Sequence, residues 1–283
     1  MKKIANIIVN INIVCYCYLG DEFTKPYISA AKNYTEKPNL DLFKRHTHDN
    51  YEIFCFLLGN AKYFVEGNIY DLKPNDILII KKSETHALLI SKSVPHCRYV
   101  INFNADALPE SHRESLIATL DNKPLGKFNR IAADEFKKNM WLHHLDCIVK
   151  AESFDVKQLY LTVLLKELCQ NISKTEDTSD AATTNEKLIE YINRNLMTLS
   201  SLDEICEHFY VSKTHLNRKF KAITGSSVWD YIVAKRLIIA KDMLASGWKP
   251  KAVSERCGYL EYSAFYRAYK AQFGVSPRDD YHK

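Results

Sequence analysis

Residues 201–225 read SLDEICEHFYVSKTHLNRKFKAITG, and residues 251–274 repeat the same pattern as KAVSERCGYLEYSAFYRAYKAQFG. The two stretches align at Leu216 and Phe265. Each copy then has an Arg two residues later, an aromatic residue four later, a Lys five later and a Gly nine later. An internal repeat of this kind indicates one structural unit that is present twice.

Each copy predicts a short helix, a tight turn and a second, basic helix. In the first copy Leu216, Phe220 and Ile223 fall at i, i+4 and i+7 and predict one apolar stripe on the basic helix. The opposite face carries amide, hydroxyl and positively charged groups. Those groups suit base edges and phosphates in a DNA major groove, so the layout indicates a helix-turn-helix unit.

Local signals mark where the short helices begin and end. Ser201 and Glu204 have the spacing of a capping box at the start of the first one. In the second copy Pro250 suits the first position of a helix, and Gly258 suits a turn with positive φ. A long helix, predicted over Val228 to Ala245, joins the two units and should hold the two basic helices at a fixed separation.

About the last hundred residues resemble the DNA-binding domain of the AraC/XylS family of bacterial transcription regulators. The matching positions are Ser212, Leu216, Arg218, Phe220, Lys221, Gly225, Tyr231, Arg236, Leu237, Ala240, Leu244, Gly258, Ser263, Phe265, Arg267, Lys270, Gly274, Ser276 and Pro277. The resemblance implies that the base-reading residues are Thr214, Asn217 and Arg218 in the first unit and Tyr262, Ser263, Tyr266 and Arg267 in the second. Lys213, Lys221 and Lys270 are expected to contact phosphate.

Charge is distributed unevenly along the 283 residues. Residues 1–185 contain 23 Lys and Arg and 23 Asp and Glu, whereas residues 186–283 contain 16 and 11. The whole formal charge of +5 therefore lies in the C-terminal third. A basic module attached to a neutral one indicates a domain that binds a polyanion and a separate domain that senses or assembles.

The segment from residue 40 to residue 105 alternates short apolar runs with turn signals. The runs are Tyr51–Leu58, Ala61–Val65, Ile69–Leu72, Ile77–Ile80, Ala87–Ile90 and Tyr99–Phe103. Close spacing of such runs predicts an antiparallel sandwich or barrel. We therefore expect an α+β protein, with a β jelly roll followed by an all-α domain.

A polar motif interrupts this strand region. His46, His48, Glu52 and Gly59 resemble the first sequence motif of the cupin jelly roll, and His86 resembles part of the second. In metal-binding cupins the corresponding histidines and glutamate hold a divalent metal. Three interpretations stay open: a metal site, contact with a small molecule, or a structural role. We predict small-molecule contact through His46, His48, Glu52 and His86, and neither a bound metal nor a cofactor. The nearby aromatic residues could stack on a sugar ring, or could be ordinary strand residues: Tyr51, Phe54, Phe56 and Tyr63.

Helical patterns return after residue 105. Ala133–Val149 predicts one helix, and a second has an apolar stripe formed by Leu161, Leu164, Leu165, Leu168 and Ile172. That stripe either packs against the barrel or pairs with a second copy of the chain. The polar run Lys174–Asn185 reads as a linker.

At the N-terminus, Val9–Ile13 alternates as a strand does, so we predict a first strand rather than a signal peptide. No stretch is long enough to span a bilayer. The eight cysteines lack metal or disulfide spacing and are expected to be reduced thiols in a cytoplasmic protein. We predict three parts: a cupin-like sensing and dimerisation domain (1–173), a linker (174–185) and a DNA-binding domain (186–283).

Together these features predict a transcription regulator that is not an enzyme, and the family resemblance implies an activator. Its expected partners are promoter DNA, RNA polymerase, a small-molecule effector with a sugar as first candidate, and a second copy of the chain; no membrane contact is expected. Two alternatives are a metal-dependent cupin enzyme fused to a DNA-binding tail, and a ligand-independent regulator whose barrel only dimerises or binds a partner protein.

Overall fold

The computed structural model describes residues 26–38, 46–91, 94–133, 140–172, 184–224 and 226–281. The predicted strand Val9–Ile13 and the predicted linker up to residue 183 lie outside these ranges. Strands dominate the N-terminal part. They are β1 (Ile28–Thr35), β2 (Tyr51–Leu58), β3 (Ala61–Val65), β4 (Asn68–Asp71), β5 (Ile77–Ile80), β6 (His86–Ile90), β7 (His96–Phe103) and β8 (Arg130–Ile131).

The strands form two antiparallel sheets. One has the order β1-β7-β2-β5-β8, and the other has the order β4-β3-β6. Strand-to-strand pairing is antiparallel throughout the described sheets. The predicted antiparallel arrangement is therefore confirmed, while β1 and β8 were not predicted.

Side-chain alternation along β2 builds two cores. Phe54 and Phe56 point into the space between the sheets, where they pack with Tyr63 of β3. Ile53 and Cys55 point the other way, into a larger core shared with the helices that cover the outer face of the five-stranded sheet. Glu52 has the parity of Phe54, so it belongs to the inner face, between the sheets.

Among the described residues, three α-helices cover that outer face: α1 (Glu110–Asn122), α2 (Met140–Lys150) and α3 (Phe154–Ile172). The predicted apolar stripe of α3 is buried in this core; Leu161, Leu164, Leu165 and Leu168 are all 0% exposed. Of the two uses left open for the stripe, the structure shows packing against the sheet. Those side chains are therefore not available for pairing with a second copy.

The C-terminal part is helical, in agreement with the expected α+β class. Its helices are α4 (Thr184–Arg194), α5 (Leu202–Phe209), α6 (Lys213–Thr224), α7 (Val228–Ala245), α8 (Pro250–Arg256), α9 (Tyr262–Phe273) and α10 (Pro277–Tyr281). The pairs α5–α6 and α8–α9 are the two predicted helix-turn-helix units, and α7 has the predicted bounds. One core packs α4, α5 and α6 on the start of α7, and another packs α8 and α9 on its end.

The predicted turn chemistry is present. The Ser201 backbone N–H donates to Glu204 Oε1 at 3.1 Å, which is half of the capping box. Pro250 opens α8, and Gly258 has φ +75°. At Gly258 a Cβ would lie 2.8 Å from the Met197 carbonyl oxygen, so glycine is required there by space as well as by φ.

No helix among the described residues is both long enough and apolar enough to cross a membrane.

Candidate functional site

The first candidate site is the outer face of the two basic helices. Phe220 on α6 and Tyr269 on α9 are fully buried, which fixes the orientation of each helix. Arg218 and Arg267 lie on the opposite side and are exposed. The helix packing therefore turns the repeated arginines outward, as the alignment of the two copies predicts.

The other predicted DNA-contact residues are placed less uniformly. Most are exposed along the same two helices: Thr214, Lys213, Lys221, Tyr262, Ser263, Tyr266 and Lys270. Asn217 differs, because its Oδ1 accepts a hydrogen bond from the Val228 backbone N–H at 3.2 Å and so caps the start of α7. Lys213 also has a protein partner, since its Nζ lies 2.8 Å from Asp203 Oδ1.

The second candidate site is the four-residue polar cluster, defined as His46, His48, Glu52 and His86. The ring centroids of His46 and His48 lie 4.4 and 4.7 Å from that of His86. Glu52 Oε2 lies 3.5 Å from His48 Nε2 and 3.8 Å from His86 Nε2. The structure therefore brings all four predicted residues together. They lie where β2 and β6 begin, next to the isolated bridge between His46 and His86.

Backbone hydrogen bonds orient two of the imidazoles. The Nδ1 atoms of His48 and His86 lie 3.0 and 2.8 Å from the carbonyl oxygens of Asn50 and Glu84. Because a carbonyl oxygen only accepts, each Nδ1 carries the donated proton. The Nε2 atoms of both rings therefore face Glu52, an arrangement that suits either a cation or a hydroxyl group between them.

Burial and charge set the protonation of the cluster. Burial acts to raise the pKa of Glu52, but the His48 hydrogen bond and the neighbouring imidazoles outweigh it and lower that pKa well below its ordinary value. Burial, with the adjacent His46, lowers the pKa of His86 well below its ordinary value. At neutral pH the cluster therefore combines an ionised carboxylate with a neutral imidazole.

This arrangement fits two kinds of ligand. The ligand nitrogens of His46, His48 and His86 all lie within 4.8 Å of one another, close enough to hold one divalent metal ion. The same acceptors can instead receive hydrogen bonds from the hydroxyl groups of a small molecule. The donor set fits both.

The predicted aromatic residues do not all face the cluster. Tyr51 belongs to the opposite face of β2, where its hydroxyl donates to Asp121 Oδ1 at 3.0 Å. The alternation of a strand thus excludes Tyr51 from a shared ring-stacking surface with Phe54. Tyr63 is the aromatic residue that reaches the cluster; its hydroxyl donates to Glu52 Oε1 at 2.8 Å, and its ring is nearly parallel to that of His86.

Sequence reasoning missed a residue beside this cluster. Arg98 on β7 is buried, and its charge interacts with that of Glu52. Its position in β7 is an inward one, and a charged residue at an inward strand position is the signal that could have found it.

An antiparallel two-sheet domain with a buried polar cluster, joined to paired helix-turn-helix units, defines a class of DNA-binding regulators that respond to ligands. Residues 34–128 match the AraC-like ligand binding domain, and residues 205–281 match a helix-turn-helix domain. The chain therefore belongs to the AraC family and is a DNA-binding transcription regulator that responds to a small molecule.

Several named transcription regulators are similar to this chain over most of its length. The HTH-type transcriptional activator RhaS of Mannheimia succiniciproducens is 22% identical over 84% of this chain and 89% of its own length. RhaR of Shigella dysenteriae is 21% identical over 84% of this chain and 86% of its own. A solved structure of ToxT from Vibrio cholerae covers 90% of this chain and 98% of its own, at 15% identity and a TM-score of 0.37.

Proposed function

We propose that this protein is a transcription activator that reads a specific promoter sequence with α6 and α9. The supporting observation is the exposure of Arg218 and Arg267 at matching positions of two helices whose aromatic partners are buried. An exposed guanidinium on such a helix can pair with guanine O6 and N7. The similarity to proteins named as transcriptional activators supports activation, which would require contact with RNA polymerase in the cytoplasm.

Selection of genomic fragments tests DNA reading. Purified full-length protein is incubated with sheared genomic DNA at moderate salt, and the retained fragments are sequenced. We expect a small set of fragments that share one motif. Retention without sequence preference would contradict the proposal.

The effector is proposed to bind at the four-residue polar cluster, with a sugar as the first candidate. The cluster offers imidazole nitrogens and a carboxylate to hydroxyl groups, and Tyr63 adds a phenol and a ring. His46 and His48 are only half-buried, so the cluster is reachable from one side. Polyhydroxylated ligands suit this mixture of acceptors and an aromatic face.

A thermal-shift screen tests the effector proposal, beginning with sugars. We expect at least one sugar to raise the unfolding temperature of the wild-type protein, with loss of the shift in Glu52→Gln. The matched control is Glu114→Gln, which alters an exposed carboxylate on α1. A hit whose shift survives in Glu52→Gln would separate the ligand from this cluster, and a screen with no hit would favour a ligand-independent regulator.

A metal-dependent enzyme is the rival function, and it is favoured by the three clustered imidazoles, two of which lie within 4 Å of Glu52. We propose instead that the protein is not a catalyst. Metal analysis of protein purified without chelator distinguishes the two. One equivalent of metal that is lost in His48→Ala would support the rival.

A homodimer is also proposed, through a surface that differs from the one considered in the sequence. The outward side of α3 exposes Val156, Leu159 and Val163 at 41%, 62% and 44%. Their spacing of three and four residues is that of a helix-pairing seam. This second stripe, rather than the buried leucines of α3, is where a second copy would pack.

A further inference from the structure

Glu66 joins the N-terminal two-sheet domain, called the barrel below, to the C-terminal helices. It lies in the β3–β4 turn and is only 3% exposed. Its Oε1 accepts a hydrogen bond from Lys235 Nζ of α7 at 2.7 Å, and its Oε2 accepts one from Asn193 Nδ2 of α4 at 3.1 Å. Its carboxylate also accepts hydrogen bonds from the Tyr231 hydroxyl and from the Thr85 backbone N–H. A single barrel carboxylate thus meets three side chains of the DNA-binding domain.

The partner charge on α7 is equally buried. Lys235 is 1% exposed, and its Nζ also donates to the Ser83 carbonyl oxygen at 2.8 Å. Removing two charges from water is costly, so a buried ion pair contributes little net affinity. Its best-attested effect is to specify one arrangement over others, because any shift would leave a buried charge without its partner. The Glu66–Lys235 pair therefore selects the register of α7 against the barrel.

The barrel also holds the other end of α7. Lys241 Nζ lies 2.6 Å from Asp49 Oδ2, and Lys82 Nζ lies 3.2 Å from Asp242 Oδ1. Tyr231, Lys235 and Asp242 recur at i, i+4 and i+11, which places them on one side of the helix. That side of α7 faces the barrel.

Two of these residues touch a recognition helix as well. The Tyr231 ring packs edge-on against Phe220 of α6, with centroids 5.2 Å apart. Lys241 Nζ lies 4.8 Å from the ring centroid of Phe273, the last residue of α9. Each end of α7 thus has a side chain that bridges the barrel and one DNA-reading helix.

We propose that the Glu66–Lys235 pair, with Asp49–Lys241, is a brace by which the barrel positions α7 and both DNA-reading helices. Glu66 and Lys235 are positioning residues and do not themselves contact DNA. Glu66 comes from the β3–β4 turn, whereas Asp49 and Ser83, which also contact lysines of α7, lie in the segments 47–50 and 83–86. These two segments also contain His48 and His86 of the polar cluster. The brace does not depend on which effector the cluster binds.

Hydrogen exchange of the full-length protein tests the brace without DNA or effector. Glu66→Gln keeps the side-chain shape and removes the charge, so Lys235 loses its counterion. We expect exchange in α6 and α7, across the domain boundary, to speed up by about fivefold or more. Lys235→Met should have the reciprocal effect on residues 83–86 and the β3–β4 turn. These two variants approach the pair from different domains, so a folding defect in one leaves the other informative.

The matched control is Asp76→Asn. Asp76 is a fully buried carboxylate in the same domain whose side chain contacts Lys73, Arg130 and Ala133. The Asp76→Asn substitution should speed hydrogen exchange in the barrel alone. Unchanged exchange in α6 and α7 of Glu66→Gln, with β7 still protected, would overturn the brace.

DNA binding gives a second readout, on a fragment selected by the wild-type protein. Both brace variants should weaken binding by about 5- to 150-fold, the usual range of coupling between sites, and Asp76→Asn should leave it unchanged. Tighter binding by the brace variants would overturn the proposal, because the contact would then restrain the helices instead of positioning them. If the wild-type protein selects no fragment, the DNA-reading proposal fails, while the exchange experiment still decides on the brace.

Discussion

Arg218 is the residue at which specific DNA reading can be measured directly. It is exposed on α6, two residues before the buried Phe220. We expect Arg218→Ala to cost about 1–3 kcal/mol of binding to the selected site and to relax sequence preference. Fluorescence anisotropy on the selected site and on a scrambled duplex checks this. An equal loss on both duplexes would assign Arg218 to the phosphate backbone.

Lys221 provides the contrasting case one turn further along α6. It is exposed, and we propose that its ammonium group neutralises a phosphate without reading a base. Lys221→Ala should weaken binding to both duplexes alike and lower the slope of log K against log salt by about one. A salt titration from low to moderate ionic strength measures the slope, and an unchanged slope would remove Lys221 from the interface.

His86 makes the stability of the barrel depend on pH. Its pKa is lowered by burial, so between its folded pKa and the unfolded value of about 6.5 the unfolded chain binds a proton that the folded chain does not. The neutral His86 ring therefore makes its full contribution to the free energy of unfolding above about pH 6.5. Below that pH the free energy of unfolding falls by up to about 1.4 kcal/mol per pH unit. The pKa of Glu52 is also lowered, but it adds its own loss only below about pH 4.3.

Urea unfolding at pH 7 and pH 5.5 measures this effect. We expect His86→Gln to reduce the pH dependence over that interval without removing it, because burial also lowers the pKa of His96, to about 4. The matched control is His143→Gln, which alters an exposed histidine on α2 and should leave the dependence as in the wild type. An equally steep dependence in His86→Gln would place the titrating group elsewhere.

Single residues differ in how far the sequence predicts them. The capping residues and Gly258 were predictable because their roles depend on neighbours a few positions away. Tyr210 was not: it ends α5 with φ +54°, a left-handed conformation that is uncommon for a tyrosine. Its side chain is 95% exposed, and its backbone N–H closes the end of the helix on the carbonyl oxygens of Cys206 and Glu207. The sequence indicates Glu66 only as part of a turn, since its partners on α4 and α7 lie 127 to 169 positions away.

Strands and helices were predictable where the apolar residues follow one clear spacing, either that of a strand or that of a helix. The bounds of β2, β3 and β5 follow from apolar runs closed by turn residues, and α7 follows from a long helical pattern. β1 and β8 carry weak patterns, because β1 is an edge strand on which only Ile28 is buried and β8 has only two residues. Their strand state depends on pairing with β7 and β5, which no local pattern encodes.

The two faces of α3 show how one element can be read in two ways. The strong stripe of leucines was compatible with either packing or pairing, and the sheet uses it. The weaker stripe around Leu159 remains on the surface. Exposed apolar side chains at helix-pairing spacing indicate a partner, so we propose that the dimer contact lies on that side of α3.

Leu159→Glu tests this surface. A charge at the centre of the seam should raise the dimer dissociation constant by about thirtyfold, equivalent to about 2 kcal/mol. Sedimentation equilibrium of the full-length protein measures it. Ile69→Glu is the matched control, since Ile69 is an exposed apolar residue on β4, in the other sheet. If both variants dimerise as the wild type does, the α3 seam is wrong.

At the scale of the whole molecule, the described cores lie on either side of the point where the net charge changes. The neutral N-terminal part has its own cores around Leu168 and Phe54, and the basic C-terminal part has cores around Phe220 and Leu244. The charge division was visible in the sequence. The contact of α7 with the barrel was not, because it rests on a few polar residues distant in sequence.

Separate cores predict separate unfolding transitions. Leu168→Ala and Leu244→Ala each remove a fully buried leucine and should each cost about 2–5 kcal/mol, but in different domains. Trp141 is buried on α2, whereas Trp229 and Trp248 lie on and just after α7, so fluorescence can report on either part. In a Trp229→Phe/Trp248→Phe background, Trp141 fluorescence reports the unfolding of the N-terminal domain alone. Leu168→Ala should lower the midpoint of that transition. Leu244→Ala should leave it nearly unchanged, because the polar brace couples the two domains less strongly than a shared apolar core would. An equal fall in both variants would mean that the barrel and the DNA-binding helices unfold as one unit, and the division near residue 185 would then describe composition but not stability.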